Sequence, residues 1–331
     1  MYVMIRCMMT TTPTRSASIQ IPASIQIPAS KTFLNVANVA QMFAANGSVD
    51  FACPRVQLDS LPRSFQICIY DNDLVSSFAQ SGTVFESKKV SAILRRLDIA
   101  ATVDHPMTFI DLGANIGSYT LPIAVAGHQV IAVEANPDTA RRLSRAIHLG
   151  NLTNRVILTN NALSDKGGAD IAMSVSTHNR GDSYVAKNST GCTGRPMRSG
   201  EFCQQTTVKT ITLDDLLPLM TPGQRVAMKV DIQGSEVIVF NNRTARRFLT
   251  QIDVLFIQTE WIVYTTDFSG FKGSKFLANV EANVEVEMFL SFMRSLDYSF
   301  HHLNRSELNG NWRKWPGDIL LLKEYVLKKE K

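Results

Sequence analysis

From residue 107 to the C-terminus the chain alternates short, continuously apolar runs with amphipathic segments of helical period. MTFIDLG (107–113), QVIAVEA (129–135), RVILTNNAL (155–163), RVAMKVDIQG (225–234) and DVLFIQTEW (253–261) are apolar on both faces, so each needs cover on both sides. A helix near 116–126 and the segment NPDTARRLSRAIHLGN (136–151) stand between the first three. The second of these is punctuated as a helix: Asn136 suits the N-cap, Pro137 the first turn and Gly150 the end, with Leu143 and Ile147 toward the sheet. A helix over 285–296 precedes two more strand candidates, 298–303 and 318–325. The pattern implies an α/β fold built on a doubly wound, mostly parallel seven-stranded sheet. Such sheets bind ligands at the carboxyl ends of their strands, where the strand order reverses.

The N-terminal part behaves differently. Residues 1–50 contain ASIQIPASIQIPAS (17–30), a hexapeptide repeated twice and interrupted by Pro22 and Pro28, and read as a disordered or targeting-like extension. Residues 51–105 hold FQICIYD (65–71), which alternates like a strand, and GTVFESKKVSAILRRLDI (82–99), a turn feeding a helix with Val90, Ile93 and Leu97 on one face. They are expected to form a small N-terminal cap ahead of the main domain at 106–331. The formal charge of +5 lies at the two ends: Arg6, Arg15 and Lys31 with no acid before residue 50, and four lysines against two glutamates over 323–331. The body is therefore neutral and gives no reason to expect a nucleic-acid partner. No window approaches the roughly 18 consecutive apolar residues of a membrane span, so no transmembrane segment is expected.

Five cysteines show neither a CxxC pair nor zinc spacing. Cys53–Cys68 and Cys192–Cys203 are either buried thiols or loop-closing disulfides. Five N-x-S/T sequons, at Asn46, Asn151, Asn188, Asn242 and Asn304, lean toward a secretory lumen against a cytoplasmic default. Compartment and oligomeric state stay open.

The chemistry starts at FIDLGANIGSYT (109–120). A dinucleotide fold carries G-x-G-x-x-G at this turn, but between Gly113 and Gly117 stands Asn115, and the middle glycine is missing. Asp111 precedes the first glycine by two residues, where an acid binds a ligand ammonium and repels a pyrophosphate. Glu134 ends the next strand, where a carboxylate can accept both hydroxyls of a ribose. A ligand with an amino-acid head, a ribose and no phosphate satisfies both acids. S-adenosylmethionine is such a ligand.

DLGANIGSYT, VEANP, NNALSD, ITLDDLL and MKVDIQGSE, in that order, resemble the motifs of the FkbM-type methyltransferases, a class I S-adenosylmethionine-dependent group with a Rossmann-like fold. The resemblance runs from about residue 107 to about residue 260. It implies O-methylation, often of sugar or polyketide hydroxyls. One position departs: the fourth motif usually reads V-D-x-E-G, and Gln233 stands at the place of its Glu, while Asp231, Gly234 and Glu236 match. By the same resemblance Asp111, Gly113, Ala114, Asn115 and Gly117 wrap the methionyl portion. Glu134 holds the ribose with Ala135 and Asn136 alongside, and Asn161 and Ala162 border the adenine, where an amide can both donate and accept.

Asp231 and Glu260 end the fourth and fifth strands, over the sulfonium end of such a cofactor. In-line methyl transfer needs alignment, worth about 7–11 kcal/mol, and a hydroxyl acceptor also needs its proton removed. Asp231 is the first candidate base and Glu260 the second; alternatively Asp231 orders the backbone with Lys229 as its counter-ion. Two carboxylates this close could share a divalent ion, although no metal ligand set is assigned. Residues 165–210 form an insertion with HNRGDSY (178–184), expected to act as a lid over the acceptor, with His178 a weaker base candidate. Of His301 and His302 only one can face the site, and Val284, Met288, Phe289 and Phe292 are expected in the helix core.

The leading expectation is thus an O-methyltransferase acting on a small-molecule or glycan hydroxyl. A non-catalytic methyltransferase-like binding module is the alternative. An NAD-dependent oxidoreductase is disfavoured by the missing glycine. A nucleic-acid methyltransferase is disfavoured by the neutral body and by MKVDIQG standing where D/N-P-P-Y/F belongs.

Overall fold

The computed structural model describes residues 51–101, 107–176, 180, 183–185, 203–261, 264–265, 280–323 and 326. The chain enters through a short antiparallel pair, β1 (Arg55–Val56) and β2 (Phe65–Gln66), and two helices, α1 (Leu74–Gln80) and α2 (Ser87–Ala100). FQICIYD therefore gives less strand than its alternation predicts. Beyond Gln66 the same register continues, Ile67 N donating to Pro54 O at 3.2 Å and Ile69 N to Ala52 O at 2.9 Å, but Pro54 has no N–H to return a bond. A Cys53–Cys68 disulfide closes this corner. Cys192 lies outside the described residues.

The main sheet comprises β3 (Thr108–Leu112), β4 (Gln129–Val133), β5 (Val156–Thr159), β10 (Arg225–Val230), β11 (Asp253–Glu260), β12 (Tyr298–His301) and β13 (Asp318–Lys323). The spatial order is β12-β13-β11-β10-β3-β4-β5. All neighbours are parallel except β13, which runs antiparallel to both β11 and β12. The chain winds outward from β3 through β4 to β5, then returns to β10 on the other side of β3. The crevice where order reverses thus lies above β3 and β10, the ligand position of a doubly wound sheet. The helices α3 (Thr120–Val125), α4 (Pro137–Leu149), α5 (Glu236–Phe240), α6 (Arg243–Gln251) and α7 (Val280–Arg294) supply the cover. Asn136 caps α4 as its residue type predicts, its side chain accepting from Asp138 N at 3.0 Å.

The strand pleat sends alternate residues into two separate cores. On one face Phe109, Ala227, Phe256, Leu320 and Leu322 pack with Val90, Ile93 and Leu97 of α2 and Leu143 of α4. On the other, Ile110, Met228, Ile257 and Leu321 pack with the helices α5 to α7. The N-terminal segment therefore shares its core with one face of the sheet. On α7 the buried residues are Val286, Phe289, Leu290 and Met293, whereas Val284 and Met288 are more than half exposed. This corrects the expected core stripe: Phe289 belongs to it, but 284 and 288 lie on the opposite side of a 3.6-residue helix.

The insertion is not a plain loop. β6 (Ala162–Leu163), β7 (Asp170–Ser176), β8 (Tyr184–Val185) and β9 (Cys203–Ile211) form a second sheet in the order β6-β9-β7-β8, and a 3₁₀ helix (Leu213–Leu219) follows. Period-two alternation in DIAMSVS and CQQTTVKTI, hidden by their polarity, accounts for it. RVILTNNAL is accordingly divided: the main-sheet strand stops at Thr159, and Ala162 pairs with Thr210 of β9. His178 lies outside the described residues.

Candidate active site

β3 carries Asp111 on the face shared with α2, and its burial is complete. Oδ2 accepts from Thr120 Oγ1 at 2.6 Å, while Oδ1 is enclosed without a hydrogen-bond partner among the described residues. Burial raises the Asp111 pKa against the opposing pull of the Lys229 ammonium. An enclosed carboxylate oxygen with nothing to accept from is matched by a ligand ammonium. The turn that follows is tightly held. Gly113 N and Ala114 N both donate to Val133 O, at 2.9 and 3.0 Å, and Asn115 adopts φ 51° with Oδ1 accepting from Ile116 N at 2.8 Å.

Glu134, just past β4, is also nearly buried. Oε2 accepts from Asn115 N and Oε1 from Asn136 N, both at 2.8 Å, so the carboxylate ties the two loops together. Burial pushes its pKa up to about 7, although those two N–H groups favour the charged form. Each oxygen retains a lone pair toward a further donor. Ala135 and Ala162 meet a small apolar cluster of Met173, Val175 and Val208, so the described part of the insertion stands against this loop. Asn161 is fully buried and its amide donates to Lys209 O at 3.2 Å. Its neighbour Asn160, which the motif reading passed over, donates to Glu134 O at 2.9 Å and Ala135 O at 3.0 Å.

Across the switch point stands Lys229, whose register partner in β3 is Asp111. Its ammonium lies 3.1 Å from Asp231 Oδ2, donates to Gly113 O at 3.2 Å and sits 5.1 Å above the Tyr119 ring. Burial opposes its charge, but Asp231 and Asp111 outweigh that and hold its pKa above the ordinary lysine value. Gln233, at φ 55°, donates to Asp231 Oδ1 at 3.0 Å and reaches Glu260 Oε2 at 3.5 Å. The residue that departs from the family pattern is thus an amide bridging the two candidate catalytic carboxylates. A glutamate there would add a like charge. Burial, then the Asp231, Glu236 and Asp318 carboxylates, push the Glu260 pKa up to about 9. Behind it Trp261 is wholly buried among Tyr264, Phe289, Trp312 and Trp315, with its indole N–H donating to Trp312 O at 3.0 Å. That cluster anchors the strand end that presents Glu260.

His301 is buried at the outermost strand and satisfied locally by Ser299 Oγ at 2.8 Å and Arg305 O at 3.0 Å. Among the described residues no group of three or more His, Cys, Asp or Glu is placed to hold a metal ion. Among the described residues no helix is long and apolar enough to cross a membrane.

A seven-stranded sheet with one antiparallel strand, an acid ahead of the first turn and a second acid after the next strand define the class I, Rossmann-like methyltransferases. Residues 111–300, more than half of the chain, match the methyltransferase FkbM domain. The chain belongs to that family, and its cofactor is S-adenosylmethionine. The enclosed Asp111 oxygen and the lone pairs left on Glu134 fit that cofactor. No curated protein matches the chain. Among solved structures, an O-methyltransferase from Bacillus cereus in complex with SAH is similar at 12% identity and TM-score 0.38, over 72% of this chain and 82% of that one. A precorrin-6y C5,15-methyltransferase from Geobacter metallireducens is similar at 9% identity and TM-score 0.35, over 78% and 95%.

Proposed function

We propose that the protein is an O-methyltransferase that acts on a hydroxyl of a small molecule or glycan. The observation that carries this reading is the pair of carboxylates, Asp231 and Glu260, bridged by Gln233 at the carboxyl ends of β10 and β11. When bound, S-adenosylmethionine supplies an electrophilic methyl on a sulfonium. Asp111 then holds the ammonium, the 113–117 turn wraps the methionyl chain, and Glu134 holds the ribose hydroxyls beside Ala135 and Asn136. Asn161 and Ala162 border the adenine. Glu260, whose pKa is pushed up to about 9, keeps its proton at neutral pH. Asp231 is left to accept the proton of the acceptor hydroxyl as its oxygen takes the methyl.

Calorimetric titration with S-adenosylmethionine is the first test, and an absence of binding at micromolar levels sinks the reading. A methyl-donor assay over glycans, lipids and small alcohols, with and without EDTA, then finds the acceptor and any need for a metal. Asp231→Asn is expected to keep cofactor affinity and lose about 10²–10⁴-fold in turnover. Turnover equal to wild type would remove Asp231 as the base.

A further inference from the structure

The cofactor and catalytic residues above lie within the matched domain, yet the polar network around them does not close there. At the start of α2, outside residues 111–300, the capping residue Glu86 and Lys89 in the first turn project onto the carboxyl edge of the sheet. The Lys89 ammonium lies 2.5 Å from Asp318 Oδ2 and also pairs with Glu86. Glu86 Oε2 in turn accepts from the Tyr119 hydroxyl at 2.7 Å, and that ring carries Lys229. Asp318 is the register partner of Glu260 across the antiparallel β11–β13 pair. A ring results, running Lys89, Glu86, Tyr119, Lys229, Asp231, Gln233, Glu260, Asp318 and back to Lys89. The sheet pleat puts Asp111, Lys229, Glu260 and Asp318 on the face that α2 covers. Lys89, Glu86 and Asp318 each keep between 22% and 26% of their side chains accessible, so the ring is not sealed core.

Backbone geometry supports a positional role. Glu86 precedes the first turn of α2 at φ 56°, a left-handed conformation unfavourable for a glutamate, and its side chain makes no cap hydrogen bond. Gln233, on the opposite side of the ring, is left-handed too. Two residues of types that avoid this region therefore hold side chains in one network. Strain kept at such places is offset by the contacts it secures.

We infer that Lys89 is a positioning residue for methyl transfer: by holding Asp318 and Glu86 it sets the charge felt by Glu260, and so makes the N-terminal segment part of the reaction site. This rests on the reading that Asp231 takes the proton of the acceptor while Glu260, bridged to it by Gln233, keeps its own. The groups that face Glu260 are Asp231 after β10, Lys229 on β10, Glu236 on α5, Asp318 on β13 and the Gln233 amide. Lys89 is the cation that neutralises Asp318 within this set.

The test is a carbon-13 NMR titration of the Glu260 side-chain carboxyl in the full chain, with and without S-adenosylhomocysteine. Asp318→Asn removes a like charge and is expected to lower the Glu260 midpoint by about one pH unit. Lys89→Met leaves Asp318 uncompensated and is expected to raise it, and Lys89→Arg is expected to restore the wild-type value. A merely structural contact would move the unfolding midpoint and leave these titrations alone. An unchanged Glu260 midpoint in folded Lys89→Met overturns the inference. Should that variant not fold, an unchanged midpoint in the near-isosteric Asp318→Asn does so. Failure of the methyltransferase reading is separate: it shows as absent S-adenosylmethionine binding, whatever Glu260 does.

Discussion

Gly113 shows how a single position can carry a constraint beyond the one its motif expresses. In the motif it is a turn glycine beside a ligand. In the fold its φ is 81°, and a Cβ there would stand 1.9 Å from Asp231 O. The glycine is required because β3 and β10 meet at the switch point, which brings Asp231 within reach of Lys229 and Asp111. Gly113→Ala is expected to cost about 3 kcal/mol or more, from the left-handed backbone and the overlap together. Urea unfolding measures it, and a loss below 1 kcal/mol would show that the Asp231 loop moves aside freely. Asp111 and Glu134 were legible because strand phase and chain order alone put an acid at each strand end. Glu86, Lys89 and Asp318 were not, because Lys89 and Asp318 are 229 residues apart. No local pattern encodes a meeting over that distance.

At the scale of elements, the N-terminal segment is fastened to the domain at two places. Helix α2 lies over the sheet with Val90, Ile93 and Leu97 wholly buried, and Arg225 donates to Ala100 O at 2.9 Å at its far end. The β1–β2 corner grips α4: the Arg142 guanidinium sits 3.6 Å from the Tyr70 ring centre and 4.4 Å from that of Phe51, and Tyr70 bonds Thr139 at 2.9 Å. The Cys53–Cys68 bond locks that corner across a separation of 15 residues. Replacing both cysteines by serine is expected to cost about 3 kcal/mol through the freed loop. Thermal unfolding of the double variant against wild type checks this, and equal midpoints would mean that the Arg142 packing alone holds the corner. The helix face of α2 was readable from its period. The short β1–β2 pairing was not, since Pro54, which has no N–H to give the ladder, falls opposite Ile67 only once the chain has folded.

For the whole molecule, the sheet edge concentrates buried acids at a level that folding has to sustain. Glu236 accepts from Ile232 N and the Tyr264 hydroxyl, both at 2.9 Å, and burial pushes its pKa up to about 7 from the ordinary 4.5. The folded state therefore binds more protons than the unfolded state between pH 4.5 and 7. The contribution of this group to stability is complete below pH 4.5, falls through that window and is gone above 7. Glu236→Gln lacks the titration. The stability of wild type relative to this variant should decline by on the order of 3 kcal/mol from pH 4.5 to above 7. Urea unfolding at several pH values reads this difference, and a flat difference would show that water reaches Glu236 in the folded state.

What the sequence by itself determined is the fold class, the order of most main-sheet elements and the cofactor. Each follows from local periodicity, capping and the acids at strand ends, which depend only on neighbours along the chain. What only the tertiary structure decided is the company those residues keep. Lys229 faces Asp111 because β10 returns beside β3, Gln233 spans Asp231 and Glu260 because a left-handed turn aims it there, and Lys89 reaches Asp318 because α2 covers that face of the sheet. Side-chain charges act through space, and the distances that set their strength exist only once the chain has closed on itself.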